Sequence, residues 1–307
     1  MKILMISSHF NLPGDTIPIG GVQRHISYIT KELVLRGYEV EWCYKPNFKN
    51  IRKIPDIIIS HDFVSFIPDI NIPQITVFHG YEGNIPPLPQ IIEVRKDIEK
   101  KSFSSICVGE YLKKWYGHNP NKIIWGGVEE TNYVEKPNKR KILYLGRLDP
   151  DQSPLIVFEA LGKTKERYII NICGTGRLEK EIKQICNTYK LEATFNGFVS
   201  NPDFFIKNSD VIICSGYLTI LESYINKRIV ISPYGNELKK DYLELMPSPP
   251  ILGSTAEEIA YKLDENYISE SQDILRNYTF AKNNTWNKVV DCYENLFENI
   301  INKGVNL

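Results

Sequence analysis

The chain has no excess of charge of either sign: Lys plus Arg and Asp plus Glu each number 37 in 307 residues, and the formal net charge is zero. A protein balanced in this way has no global attraction for nucleic acid or for an anionic membrane. A long hydrophobic run is also missing, because no stretch approaches the roughly 18 apolar residues of a membrane span. Met1–Ser8 reads as a strand, without the apolar core and cleavage site of a signal peptide. Cys43, Cys107, Cys173, Cys186, Cys214 and Cys292 lie far apart, with no CxxC and no paired histidine spacing. That excludes a disulfide frame and a zinc site, and it fits reduced, mostly buried thiols in a cytoplasmic protein.

What the chain does have is enough length and apolar content for two cores. Hydrophobic residues make up 42% and charged residues 24% of the sequence, and a chain of this length divides naturally into two domains. Short Ile- and Val-rich runs alternate with amphipathic stretches. Strands are expected at Lys2–Ser7, Glu39–Tyr44, Asp56–Ser60, Gln74–Phe78 and Ser105–Val108, with a helix over Val22–Arg36 stopped by Gly37. A polar stretch, Glu129–Lys141, interrupts the rhythm. It resumes with strands Ile142–Gly146, Tyr168–Gly174, Ala193–Gly197, Val211–Cys214 and Ile229–Ser232, and with helices Leu155–Leu161, Leu178–Tyr189 and one from about Thr219.

This pattern predicts an α/β protein of two Rossmann-like, doubly wound parallel-sheet domains facing a cleft. The expected division is 1–137, 138–280 and a terminal helix within 281–307 that packs back on the first domain. Apolar Val289, Val290, Tyr293, Leu296, Phe297 and Ile300 of that helix share one face.

Four constellations carry chemistry. Gly20-Gly21 precedes a helix, where backbone N–H groups favour anionic oxygens. Gly146-Arg147 closes a strand, and an arginine there can hold a diphosphate through two parallel hydrogen bonds. The following Asp149-Pro150-Asp151 spells a DxD, but a sequence this short arises by chance, and no metal site is assigned. Cys173-Gly174-Thr175-Gly176 begins like a dinucleotide fingerprint, yet Glu179 holds the place of the third glycine and argues against a nicotinamide cofactor. In Ser215-Gly216-Tyr217-Leu218-Thr219-Ile220-Leu221-Glu222 a glycine turn leads into a helix. The Thr219–Glu222 spacing fits a capping box, and a ribose-binding glutamate is the alternative.

One surface patch stands apart. Arg95, Lys96, Lys100, Lys101, Lys113 and Lys114 lead into Trp115 and Tyr116. The pattern fits a solvated helix face with buried rings better than docking on the inner face of a membrane, the alternative reading.

Taken in order, these segments resemble glycosyltransferase family 4, the retaining enzymes of the GT-B fold within the glycosyl transferases group 1. The resemblance runs along nearly the whole chain. It includes Gly20-Gly21 with Arg36-Gly37-Tyr38-Glu39-Val40, His79-Gly80, Cys107-Val108-Gly109-Glu110-Tyr111-Leu112 and Gly126-Gly127-Val128-Glu129. It continues through Leu145-Gly146-Arg147, Ile172-Cys173-Gly174-Thr175-Gly176, Asn196-Gly197-Phe198-Val199 and Leu221-Glu222-Ser223.

The resemblance implies transfer of a hexose from a UDP- or GDP-sugar to a hydroxyl of a sugar or lipid-linked acceptor, with retention and without metal or cofactor. His79, Arg147 and Glu222 would be the catalytic residues. The donor would be bound by Gly20, Gly21, Gly146, Gln152, Gly174, Phe198, Val199, Tyr217, Leu218 and Thr219 besides Arg147 and Glu222. Gly21 would touch a phosphate, His79 the sugar, Phe198-Val199 the base and Glu222 the ribose. Two positions depart from the family pattern: Gln152 replaces a lysine, and Cys214 replaces the first glutamate of E-x7-E. A non-catalytic relative that binds a nucleotide sugar or supports a partner enzyme is therefore the alternative.

Overall fold

A computed structural model describes residues 1–8, 20–44, 54–80, 83–131, 140–265 and 272–302. The chain forms two compact units, Met1–Gly127 with Trp286–Leu307, and Val128–Thr285. The division expected at 137 falls within 132–139, outside the described residues. The described division lies after Gly127, and the second falls after Thr285.

The first unit runs β1 (Lys2–Ser7), α1 (Gly21–Leu35), β2 (Glu39–Tyr44), β3 (Ile57–His61), β4 (Gln74–Phe78), α2 (Pro89–Lys101), β5 (Ser104–Val108), α3 (Tyr111–Tyr116) and β6 (Lys122–Ile124). Its six strands are parallel, in the order β2-β1-β3-β4-β5-β6. Every residue of β1, β3, β4 and β5 is buried, which is why these segments read as continuous apolar runs and not as alternating ones. Helix α1 turns His25, Ile26, Ile29 and Leu33 to the core. It stops at Gly37, where φ is +87°. Gly37 N–H donates to Val34 O at 3.0 Å and Tyr38 N–H to Leu33 O at 3.1 Å, the paired bonds of a Schellman stop.

The second unit runs β7 (Lys141–Leu145), α4 (Pro154–Lys163), β8 (Ile169–Cys173), α5 (Glu179–Tyr189), β9 (Glu192–Gly197), α6 (Asp203–Lys207), β10 (Val211–Ile213), α7 (Tyr217–Ile225), β11 (Ile229–Pro233), α8 (Glu237–Glu244), β12 (Ile251–Gly253), α9 (Ala256–Asp264) and α10 (Gln272–Lys282). Its parallel sheet has the order β12-β11-β10-β7-β8-β9. The chain winds one way from β7 through β8 to β9 and the other way from β10 outward, so the order reverses between β7 and β10. Tyr144, Val157, Phe158, Ile172, Ile182 and Ile259 belong to the core on which α4, α5 and α9 close.

The last helix, α11 (Trp286–Asn302), returns to the first unit. Its apolar face buries Trp286, Val289, Val290, Tyr293, Leu296, Phe297 and Ile300. Trp286 stacks on Tyr28 with ring centres 4.8 Å apart, and Tyr293 meets His25 Nε2 at 3.2 Å. Arg36, just past α1, reaches Asp291 at 2.8 Å and also Glu294.

The basic patch is only partly a solvated face. Arg95 is fully buried, with its guanidinium 4.2 Å from the centre of the buried Tyr116 ring. It donates to Gly80 O at 3.0 Å, so it braces the backbone after β4. Lys113 and Lys114 are exposed and Trp115 is half-buried, which leaves no exposed ring at the centre of the patch.

Candidate functional site

In an open parallel sheet, ligands bind outside the carboxyl ends of the strands where the order reverses. In the second unit that place is between β7 and β10, and the two loops that leave these strands carry most of the residues singled out in the sequence. Gly146-Arg147 follows β7. Cys214-Ser215-Gly216 follows β10 and leads into α7.

Arg147 is held in the open by carboxylates. Its guanidinium meets Asp149 Oδ2 at 3.2 Å and Asp151 Oδ2 at 2.6 Å, and its side chain is 63% exposed. Asp149 also accepts from Arg177 N–H at 3.0 Å, and that backbone bond leads the causes that hold its carboxyl below the usual range. Both carboxylates of the Asp149-Pro150-Asp151 sequence thus face arginines. Among the described residues no group of three metal-ligating side chains is present. Behind them, Tyr144 donates its hydroxyl to Arg147 O at 2.9 Å and fixes the loop.

Gln152 links the two loops. Its Oε1 accepts from Ser215 Oγ at 2.7 Å, and its Nε2 donates to Asp151 Oδ2 at 2.6 Å. The side chain is therefore committed to structure at the place where the resemblance implies a lysine.

Gly174 and Gly176 are explained by packing. A Cβ on Gly174 would meet Gly146 O at 1.8 Å, and one on Gly176 would meet the Leu148 carbonyl carbon at 2.4 Å. The backbone after β7 lies directly on the backbone after β8, with Leu148 N–H donating to Thr175 O at 2.9 Å. These glycines hold the Arg147 loop in place.

The capping box expected at Thr219–Glu222 does not form. Helix α7 starts at Tyr217 with Gly216 as its cap, so Thr219 is already in the first turn. Thr219 Oγ1 donates to Gly216 O at 2.8 Å, and Glu222 lies in the second turn. The Thr219 side chain accepts from no helix N–H, and Gly216 has no side chain to offer. Tyr217 N–H donates to Tyr242 Oη at 3.1 Å, while the N–H groups of Leu218 and Thr219 have no acceptor among the described residues. Two backbone donors at the amino end of a helix form a local positive pole. Glu222, half-buried on the next turn, lies near the buried Cys214 thiol, whose pKa burial pushes up to about 12.

At the other side of the sheet, Gly197 ends β9 with φ +66° and presents Phe198, which is 47% exposed. Val199 beside it is half-buried.

In the first unit, Gly20 caps α1 and Gly21 opens it, and a Cβ on Gly21 would meet nothing within 4 Å. His79 follows β4 and is buried. Its Nε2 lies 2.9 Å from His61 Nδ1, and its backbone N–H donates to Asp62 Oδ1 at 2.9 Å. His25 and His61 are both buried, and desolvation lowers both pKa values well below the ordinary histidine range.

Sequence reasoning missed Lys239, on α8. It is 4% exposed, donates to Ser215 O at 2.7 Å, and lies over the Tyr242 ring at 4.2 Å. It missed His61 and Asp62 as well. None of the three belongs to a spacing pattern. They reach the loops from other elements, a placement that only the fold sets.

The family model described as glycosyl transferases group 1 matches residues 129–224, the segment holding Gly146, Arg147, Gln152, Gly174, Phe198, Tyr217 and Glu222. No curated protein sequence matches the chain. Solved structures match over nearly its full length. The Anabaena protein HepE, crystallised with UDP and glucose, is 13% identical with a TM-score of 0.71, covering 97% of this chain and 100% of that one. Sucrose-phosphate synthase from Thermosynechococcus elongatus is 12% identical with a TM-score of 0.77, covering 99% and 100%. A glycosyltransferase from Rickettsia africae is 17% identical with a TM-score of 0.68, covering 98% of each chain. Residues 129–224 therefore carry the sequence of the glycosyl transferases group 1, and the chain as a whole has the fold of the GT-B glycosyltransferases.

Proposed function

We propose that this chain is a retaining glycosyltransferase of family 4 type, moving a hexose from a UDP- or GDP-sugar to a hydroxyl acceptor without metal. One observation carries the reading. At the reversal point of the second sheet, Arg147 and the open N–H groups of Leu218 and Thr219 offer positive poles, with Glu222 one turn along the same helix. A diphosphate needs such donors, and a ribose needs such a carboxylate. HepE, solved with UDP and with UDP-glucose, supports a uridine donor.

The chemistry follows from where charge develops. As the bond from the sugar to the diphosphate lengthens, negative charge collects on the leaving oxygen and positive charge on the sugar carbon. Arg147 turns from Asp149 and Asp151 to the leaving diphosphate, and the helix N–H groups meet its other oxygens. Donors aimed at such developing charge are worth about 3 kcal/mol each. The departing oxygen takes the proton of the acceptor hydroxyl, and the new bond forms on the face it leaves. Phe198 and Val199 border the base, and Glu222 accepts from the ribose hydroxyls. Gly21 and His79 keep the phosphate and sugar roles that the resemblance implies. Exposed Lys113 and Lys114 suit a lipid-linked acceptor at the inner face of a cytoplasmic membrane, and flotation with anionic liposomes tests that part of the reading.

A thermal-shift panel of UDP, GDP, ADP and their sugars identifies the donor, since a ligand bound by the folded state raises its melting temperature. With that donor, Arg147→Ala and Glu222→Ala should each lower transfer by about 100-fold or more. Wild-type rates in both variants would remove the assignment. A second reading, a nucleotide-sugar-binding protein without turnover, is favoured by Gln152 and by Cys214, whose neutral thiol cannot act as the missing carboxylate. Donor hydrolysis or transfer by the purified wild type would dismiss it.

A further inference from the structure

Lys239 has no ion-pair partner among the described residues. The residue is 4% exposed, and its ammonium has one hydrogen bond to Ser215 O at 2.7 Å and lies over the Tyr242 ring at 4.2 Å. Of its three donors, that carbonyl uses one. A buried ammonium without a carboxylate is costly, and structures seldom keep one without use for its charge. The carbonyl it holds belongs to the residue before Gly216, the cap of α7. The same Ser215 donates its hydroxyl to Gln152 at 2.7 Å. Lys239 therefore stands at the helix end where Leu218 and Thr219 leave two N–H groups open. The charged groups that act on it are Asp151 and Arg147, which face one another at 2.6 Å.

We propose that Lys239 is the second cation of the donor site, binding the diphosphate together with Arg147 and the amino end of α7. The inference rests on the reading of this site as a nucleotide-sugar site, and it assigns to α8 the charge that Gln152 does not carry. The uncharged Gln152 holds the Ser215 turn through the hydroxyl, and Lys239 reaches the same turn from α8 through the carbonyl. When a diphosphate docks on the open N–H groups, its oxygens give the ammonium the anion that the free protein withholds. Arg147, held by two carboxylates, is the mobile cation, and Lys239 is the fixed one. Fixed charge in a desolvated position contributes most, because it needs no rearrangement when the ligand arrives.

The test is calorimetric titration of UDP, GDP, ADP and inorganic pyrophosphate into wild type, Lys239→Gln, Arg147→Ala and the double variant Lys239→Gln/Gln152→Lys. Lys239→Gln keeps a donor for Ser215 O and loses the charge. It should weaken the bound diphosphate and pyrophosphate at least 10-fold while leaving the melting temperature of the free protein unchanged or raised. Gln152→Lys should restore most of that loss, because it returns a cation to the same turn. Wild-type affinity in Lys239→Gln would overturn the proposal, and if Arg147→Ala had lost binding the reading of the site would stand without it. A lowered melting temperature with no rescue by Gln152→Lys would show a structural lysine and overturn the proposal too. If none of the four ligands binds the wild type, the reading of the site falls and the proposal with it.

Discussion

Burial strips water from the Lys239 ammonium, and its pKa falls to about 8 for that reason first, with Asp151 raising it, Arg147 lowering it and Cys214 raising it. A folded-state pKa below that of the unfolded chain makes the folded state release the proton more readily. Stability then rises with pH between about 8 and the unfolded value of about 10.4. Lys239→Met has no such group. Urea titrations in the absence of ligand should show wild type gaining on Lys239→Met by up to about 1.4 kcal/mol per pH unit across that window. A constant difference from pH 7.5 to 10 would mean that the ammonium is solvated. Arg147 was legible from its place after a strand and a glycine, since a β-strand ends where its apolar run ends. Lys239 was not, because nothing in Asn236-Glu237-Leu238-Lys239 marks which side chain turns inward.

Among the elements, the buried parallel strands were the most legible, for their Ile and Val runs have no other use. β1, β2 and β4 fall where expected, and most others shift by one residue. The three-residue strands β6 and β12 and the five-residue helix α6 are too short for a pattern to stand out, and α2 buries only Arg95 and so has no apolar stripe. Helix starts were legible only where no other hydrogen bond competes. The S/T-x-x-E spacing occurs at Thr219–Glu222 and again at Thr255–Glu258, and only the second forms the cap. There Thr255 Oγ1 accepts from Glu258 N–H at 3.1 Å, and Glu258 accepts from Ser254 N–H at 2.9 Å. At the first, Gly216 takes the cap three residues earlier, and the threonine turns to a carbonyl. Thr255→Ala should lower stability by about 1 kcal/mol in a urea titration. No change would mean that Ser254 and water cap the helix equally well.

At the scale of the whole chain, the sequence rhythm pointed to two α/β units and a terminal helix packing back on the first, but it named none of the contacts that hold that helix there. The ownership of α11 is decided by side chains more than 250 positions apart in sequence: Tyr38 donates to Glu294 at 2.9 Å, and Tyr293 meets His25 at 3.2 Å. A fragment of residues 128–285 should therefore unfold in one cooperative transition by circular dichroism. A chain stopped at Thr285 should keep that transition and lose the one belonging to the first unit, since it uncovers the face of α1 on which Trp286 and Tyr293 close. A truncated chain with both transitions intact would show that α11 only decorates the first unit.

The return of α11 also sets an order of events during synthesis. Domains usually fold in the order in which they are made, but the first unit here is one helix short when its last strand is complete. At roughly 5–20 residues per second, the ribosome needs on the order of ten to thirty seconds to make residues 128–302. Through that interval the nascent chain carries an open apolar face on α1. The second unit, continuous from Val128 to Thr285, can close before the unit that precedes it.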